Sequence, residues 1–105
     1  MLYYFCRLIP PRSTFTGDMS DAERAIMQRH VAYWKEWMDR GHVIAFGPVA
    51  DPAGTYGIGI VQVEQESELE SFRRNDPTIL ADAGFRIEAF AMPRVSVPNG
   101  ESRAR

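Results

Sequence analysis

The chain has 105 residues, of which 45% are hydrophobic and 25% are charged, and its formal net charge is −2. This composition is typical of one soluble globular domain and argues against a disordered chain and against a membrane protein. No apolar run approaches the roughly 18 residues of a membrane span, and no cluster of lysine and arginine outside the last residues marks a surface for nucleic acid or anionic lipid.

The first predicted elements are a strand and a long helix. Leu2 to Ile9 is dense in aromatic and β-branched residues and stops at two prolines, which cannot extend a β-ladder, so it predicts a strand. Ser20-Asp21-Ala22-Glu23 has the pattern of a capping box, which marks the start of a helix. Gly41 supplies the left-handed residue that ends this helix after Arg40.

A β-hairpin is predicted after the first helix. Its strands run over Val43 to Val49 and Tyr56 to Val63, and both are rich in β-branched and aromatic residues. The segment Asp51-Pro52-Ala53-Gly54 between them has the residue types of a tight turn. These two strands are therefore expected to be neighbours in the sheet.

A shorter helix and a last strand complete the predicted elements. Ser67-Glu68-Leu69-Glu70 has the pattern of a second capping box, and this helix is expected to run to about Asn75. Asp76-Pro77 then ends it, because the residue before a proline is biased away from helical backbone angles. Phe85 to Met92 is the last predicted strand.

The resulting order, β-α-β-β-α-β, is that of the ferredoxin-like α+β fold, in which two helices cover one face of a four-stranded antiparallel sheet. We expect one such domain over residues 1–95. Residues 96–105 are rich in polar and turn residues and are expected to form a flexible C-terminal tail.

The first strand carries apolar residues on both faces of this sheet. They are Leu2, Tyr4, Cys6 and Leu8 on one side and Tyr3, Phe5 and Ile9 on the other. Since a sheet with one wet face alternates more cleanly, the open face needs cover, and we expect a homodimer packed sheet against sheet. Arg7 is the exception on the open face, where it could meet Glu88 or share a surface with Arg86, either as a cross-strand ion pair or as polar lining of a cavity between subunits.

The first helix places a histidine in the middle of its most apolar face. Winding the segment from Ser20 to Arg40 at about 100° per residue puts His30 near the centre of an apolar stripe. The stripe consists of Ile26, Met27, Tyr33, Trp34, Trp37 and Met38. A buried imidazole without a partner would cost on the order of 1 to 3 kcal/mol, so we expect another side chain to be bonded to it.

The candidate partner of His30 is Asp76, which stands where the second helix ends, and both helices lie on the same face of the sheet. A carboxylate beside the ring would select one tautomer of the imidazole, as in a general base. The same pair could equally be a satisfied buried contact without a reaction, and Asp76 could be only a turn residue. The spacing in the sequence leaves these alternatives open.

Two further candidates for substrate binding lie in the loop before the first helix. The guanidinium of Arg12 could hold an acidic or phenolic ligand, and the ring of Phe15 could cover it. The alternative is an exposed arginine and a hydrophobic staple on the helix.

The remaining candidates for substrate binding lie on the first helix and on the second strand. Trp34 could form an aromatic wall of a pocket, or it could simply be core. Phe46, Gly47 and Pro48 could bring the backbone close to a ligand, or they could mark a bent edge strand, since proline cannot serve a central one.

Several classes of site are absent from the sequence. There is no glycine-rich phosphate loop, no H-E-x-x-H zinc motif and no Gly-x-Ser-x-Gly elbow, so we expect no cofactor and no metal. From Gly57 to Val63 the third strand has none of the aromatic residues on which RNA bases stack. Cys6, the single cysteine, is interpreted as a small core residue.

The chain begins without a secretory leader pattern, and a cytoplasmic location is expected.

Four segments together resemble the YciI-like (YCII-related) family over about residues 2–93. They are Met27-Gln28-Arg29-His30-Val31-Ala32-Tyr33-Trp34, the strand Val43-Ile44-Ala45-Phe46-Gly47-Pro48-Val49, the hairpin glycines Gly54, Gly57 and Gly59, and Asp76-Pro77. The resemblance implies a dimeric α+β barrel and a histidine and aspartate acting as a pair, which here are His30 and Asp76. The family includes a dehydrochlorinase that acts on a chlorinated hydroxyquinol.

The resemblance favours a cofactor-independent lyase or isomerase that acts on a small cyclic or aromatic molecule. In this interpretation His30 moves a proton and Asp76 orients the imidazole. Two alternatives remain: a non-catalytic module that binds a small molecule, and a haem-binding protein with His30 as the axial ligand.

Overall fold

The computed structural model describes residues 1–98, which form one four-stranded antiparallel sheet with helices on one side. The elements in chain order are β1 (Leu2–Ile9), α1 (Phe15–Asp18), α2 (Asp21–Asp39), β2 (Val43–Val49), β3 (Tyr56–Val63), α3 (Glu66–Arg74), α4 (Pro77–Leu80) and β4 (Arg86–Met92). The predicted order of strands and main helices is confirmed. The two short helices α1 and α4 were not predicted.

The sheet has the strand order β2-β3-β1-β4, so β1 lies between β3 and β4. The register pairs Arg7 with Ile58 on one side and with Glu88 on the other. The predicted meeting of Arg7 and Glu88 is therefore confirmed, at 4.0 Å between Nε and Oε1.

The first helix begins and ends where the sequence predicts. The Ser20 hydroxyl accepts a hydrogen bond from the Glu23 amide at 3.1 Å, and the Glu23 carboxylate accepts one from the Ser20 amide at 2.9 Å. After Asp39 the chain turns at Gly41, whose φ of 85° favours glycine. Capping of this kind stabilises a helix by about 1 kcal/mol.

The predicted second capping box is wrong by two residues. The helix α3 begins at Glu66, its N-cap is Gln65, and the Glu68 carboxylate accepts hydrogen bonds from the amides of Glu64 and Gln65. Ser67 lies inside the first turn. The physical reason is that the Glu68 side chain reaches back to the amides of Glu64 and Gln65, so the box forms on Gln65 and the serine falls inside the helix.

The main core lies between the helices and the inner face of the sheet. Tyr4, Cys6 and Leu8 of β1 pack there with Trp34 and other buried side chains from the helices. On the opposite, open face, Phe5 lies beside Phe90 with ring centroids 6.5 Å apart. Apolar residues on both faces of β1 are thus confirmed.

The predicted end of the domain and the predicted tail lie at the end of the described residues. Val95, the last residue of the predicted domain, is buried. Most of the predicted tail over 96–105 lies outside the described residues, which end at 98. Within residues 1–98, every helix is too short or too polar to cross a membrane.

Candidate active site

His30 and Asp76, which are 46 positions apart in the sequence, meet in the core. His30 projects from the middle of α2, and Asp76 lies in the bend between α3 and α4. The Nδ1 atom of His30 is 3.0 Å from each of the two carboxylate oxygens of Asp76. The side chains are almost completely buried, with 7% of His30 and 0% of Asp76 exposed. The two predicted catalytic residues are therefore in direct contact.

Asp76 receives further hydrogen bonds besides that from His30. Its Oδ1 accepts from the backbone amide of Thr78 at 2.9 Å and from the Thr78 hydroxyl at 2.8 Å. Its Oδ2 accepts from the indole Nε1 of Trp34 at 2.6 Å. An ionised carboxylate has room for about four such donors, so Asp76 is fully satisfied as an anion.

These contacts determine the charge of Asp76. Burial by itself raises the pKa of this carboxyl, but hydrogen bonds from His30, Thr78 and Trp34, together with the charge interaction with His30, outweigh burial and hold the pKa below its ordinary value. Asp76 is therefore an acceptor at neutral pH. It follows that Nδ1 of His30 carries the hydrogen of this contact, so the lone pair of an unprotonated imidazole lies on Nε2.

The His30 ring lines a cavity of about 210 Å³. Its Nε2 makes no hydrogen bond with any residue in the described part of the chain, 1–98. The ring beside the cavity is therefore anchored through Nδ1, and Nε2 is left for a partner from outside the described residues. This is the arrangement that a general base needs.

The walls of this cavity are mainly apolar. Predicted binding residues that line it are Phe15, Trp34, Phe46, Gly47 and Pro48. The hydroxyl-bearing side chains in the wall belong to Thr16, Thr55 and Tyr56. An engineered apolar cavity of about 150 Å³ holds benzene, so the volume here suits a single substituted ring.

Trp34 contributes to both the cavity and the buried pair, because its ring forms part of the wall while its N–H reaches Asp76. The ring packs against Phe46 and Phe72, with centroids 5.6 Å and 4.7 Å away. It also lies directly over Gly59, where a Cβ would overlap the ring carbon Cζ3. The absence of a side chain at Gly59 therefore allows the position of Trp34.

Arg12 does not line this cavity, unlike the other predicted binding residues. Its guanidinium donates to Asp18 Oδ1 at 2.7 Å and to both carboxylate oxygens of Glu23 at 2.8 Å. It also lies 5.4 Å from the centroid of the Phe15 ring. Arg12 thus fastens the loop that carries Phe15 to the start of α2, and its contacts in the described residues are with the protein's own acids.

Sequence reasoning missed Thr78, the residue that gives Asp76 two of its hydrogen bonds. The signal was available, since an aspartate followed by proline is a common start of a helix and its carboxylate then accepts from the residue two positions on. Asp76-Pro77 both ends α3 and begins α4.

Cys6 also lines the cavity, as a residue of the inner face of β1. Burial raises the pKa of its thiol to about 12, and the charge of Arg73 opposes this only in part. Cys6 is therefore a neutral thiol at physiological pH, in agreement with its interpretation as a small core residue.

Comparisons with known proteins found a matching family and a similar solved structure. The family model for the YCII-related domain matches residues 1–92. The structure is similar to that of 5-chloro-2-hydroxyhydroquinone dehydrochlorinase (TftG) from Burkholderia phenoliruptrix AC1100, solved in complex with 2,5-dihydroxybenzoquinone. The TM-score is 0.58 at 20% sequence identity, and the similarity covers 96% of this chain and 100% of the other. Among curated proteins, none matches the sequence of this chain.

Proposed function

We propose that this chain, which belongs to the family of YCII-related domains, is a cofactor-independent enzyme that moves a proton on a small cyclic or aromatic molecule. The observation that carries the proposal is the orientation of His30. Asp76 anchors Nδ1 of the ring in the core, and the ring lines a cavity of about 210 Å³. A lyase or an isomerase needs a base in that position.

In the proposed reaction, Nε2 of His30 takes a proton from a carbon or oxygen of the bound ring. The electron pair of the broken bond then expels a leaving group in a lyase, or moves along the ring to accept the proton elsewhere in an isomerase. Asp76 stays ionised and stabilises the imidazolium that forms, while Trp34 and Thr78 hold its carboxylate in place. A positioned base of this kind contributes about 10²- to 10⁴-fold in rate.

The fold shared with a dehydrochlorinase makes elimination on a hydroxylated ring the first reaction to test. At 20% identity the likeness supports the fold alone, so the reaction is argued from His30 and from the size of the cavity. The apolar wall would exclude water around the ring and strengthen the electrostatic effect of the buried pair.

The open face of the sheet supports a further part of the proposal, a homodimer. Phe90 on this face is 52% exposed, and it lies beside Phe5, so the two rings present an apolar surface to solvent. A second copy packing its own open face on this one would bury both rings around a twofold axis. This assembly is the dimer predicted from the two apolar faces of β1.

The experiment is an exchange assay that needs no knowledge of the natural substrate. Hydroxylated and halogenated single-ring compounds, including 5-chloro-2-hydroxyhydroquinone, are incubated with the protein in D₂O, and NMR follows ring-hydrogen exchange and halide release. We expect His30→Gln to slow the reaction at least about 100-fold, since the base is lost.

The matched control is His42→Gln, because the other histidine bonds through Nδ1 to the backbone carbonyl of Gln62 and does not line the cavity. We expect this variant to keep the wild-type rate. A folded His30→Gln protein with the full rate would overturn the proposed chemistry.

A second candidate function, binding without a reaction, is supported by the apolar character of the wall. A cavity of this size holds a ring whether or not a base acts on it. In that case the compound would emerge unchanged, no ring hydrogen would exchange, and His30→Gln would alter affinity alone.

A further inference from the structure

A second cavity, of about 300 Å³, lies beside the one that contains His30. It is lined by Arg7 and Ile9 of β1 and by the loops before α1 and before β3. Three residues, Pro10, Thr55 and Tyr56, line both cavities. The two spaces therefore meet at the end of the sheet, where the apolar cavity with His30 lies on the inner face and the cavity with Arg7 lies on the open face.

Arg7 is the cation of this second cavity whose donors are not used. Its side chain donates no hydrogen bond to any of residues 1–98, and its Nε is buried without a partner. The nearest carboxylate oxygen, Oε1 of Glu88, is 4.0 Å from Nε, which is too long for a hydrogen bond. The guanidinium carbon lies 4.7 Å from the centroid of the Tyr56 ring, which holds the side chain at the boundary of the two cavities.

The other charged residues of the cavity wall are already engaged. Arg12 donates four hydrogen bonds to Asp18 and Glu23. Asp51 accepts a hydrogen bond from the amide of Ala53 within the hairpin turn. A guanidinium with unused donors matches the two oxygens of a carboxylate or a single phenolate oxygen. Arg7, and not Arg12, is thus the residue able to receive an anion here.

We infer that the two cavities form one site for a ring that carries an anionic substituent. The ring occupies the apolar cavity against His30, and a carboxylate on a side chain of that ring passes the end of the sheet at Tyr56 and reaches the guanidinium of Arg7. The inference rests on the proposed function for the position of the ring, and it adds the chemical class of the substrate and its orientation. Arg7 is a binding residue in this arrangement and takes no part in proton transfer.

The test measures binding of matched acids and amides, which differ in charge and little in shape. Benzoate, phenylacetate and 3-phenylpropanoate are titrated by NMR or calorimetry beside benzamide, phenylacetamide and 3-phenylpropanamide. The three acids differ in the number of carbons between the ring and the carboxylate, because the distance from the ring's cavity to Arg7 decides which of them can bind both. We expect at least one acid to bind about tenfold more tightly than its amide, the effect of one charge-assisted contact.

Arg7→Gln is expected to remove the preference for the acid and to leave the affinity for the amide unchanged. The control with the same change of charge is Arg29→Gln, at an exposed position of α2, which should keep the preference. Arg7→Lys retains the charge without the planar fork and should reduce the preference several-fold, so it provides the test if the glutamine variant does not fold.

Two results would overturn the inference: acids and amides binding equally well to the wild-type protein, or an Arg7→Gln protein that keeps the preference and changes only its oligomeric state. The second result would assign Arg7 to an interface between copies. Failure of the proposed reaction is seen separately, because a protein that selects acids through Arg7 but exchanges no ring hydrogen contradicts the chemistry and supports the binding site.

Discussion

The indole N–H of Trp34 donates a hydrogen bond of 2.6 Å to Asp76 while the same ring forms part of the cavity wall. A ligand that contacts this ring therefore lies one side chain away from the carboxylate that orients His30. A displacement of Trp34 would change the shape of the cavity and would also remove a hydrogen-bond donor from Asp76. The position of this tryptophan is set by what packs against its other face.

Gly59→Ala is expected to displace Trp34, because the added Cβ would overlap the ring carbon Cζ3. Overpacking of a core site costs about 1 to 3 kcal/mol, and we expect a loss of unfolding free energy in this range. Chemical denaturation measures it, and tryptophan fluorescence reports the moved indole. The control is Gly47→Ala on the neighbouring strand, where a Cβ meets nothing within 4 Å. Equal stability of the two variants would contradict this account of Gly59.

Thr78→Val should weaken the hold on Asp76, since it removes the hydroxyl donor at 2.8 Å and keeps the backbone amide. Hydrogen bonds to charged groups contribute about 1.5 to 3 kcal/mol, and we expect a loss of unfolding free energy near the lower end of that range. Thr78→Ser keeps the hydroxyl and serves as the control. A valine variant at least as stable as the serine variant would show that the hydroxyl hydrogen bond to Asp76 does not stabilise the fold.

The sequence alone accounts for much of this architecture. The ends of β1, β2 and β3, the capping box at Ser20 and the inward direction of His30 all follow from periodicity and cap residues. These features are local, since each depends on residues within a few positions of one another. The sequence also named Asp76 as a partner for His30, because a buried imidazole requires one.

What the sequence could not supply depends on contacts between distant segments. The sequence left Arg12 open, either as a residue that holds a ligand or as an exposed arginine. Its guanidinium lies between Asp18 and Glu23, and only the path of the loop brings those acids together. The roles of Thr78 and Gly59 have the same origin, since one donates across a bend and the other lies under a ring from another element. Secondary-structure propensity and residue spacing carry no information on contacts between residues that are far apart in the sequence.

Asp76 makes the stability of the protein dependent on pH in the acid range. Its pKa is lowered from the ordinary value of 3.8 in the folded state, so folding favours the ionised form. The stability that this ionisation contributes is fully present above the unfolded value and is lost as the pH falls through the lower, folded value.

Asp76→Asn removes this contribution and leaves the donors of His30, Thr78 and Trp34 facing an amide. Asparagine offers one acceptor oxygen where aspartate offers two, so buried donors lose their partner at about 1 to 3 kcal/mol each, and we expect a loss of this order at pH 7. Because the carboxyl of the wild-type protein protonates on acidification, the difference between the two proteins should shrink below about pH 4. Denaturation at a series of pH values measures it. A difference that stays constant down to pH 2 would show that ionisation of Asp76 does not stabilise the fold.

The proposed dimer makes a prediction about Phe90, the exposed ring on the open face of the sheet. Phe90→Asp places a charge where a second copy would pack, and burying an unpaired charge costs several kcal/mol, enough to dissociate a dimer at micromolar concentration. Sedimentation velocity should find the wild-type chain as a dimer and the variant as a monomer. The control is Leu80→Asp, since Leu80 is 64% exposed but lies on α4, away from the sheet. A wild-type monomer, or a Phe90→Asp dimer, would mean that the open face is not the interface.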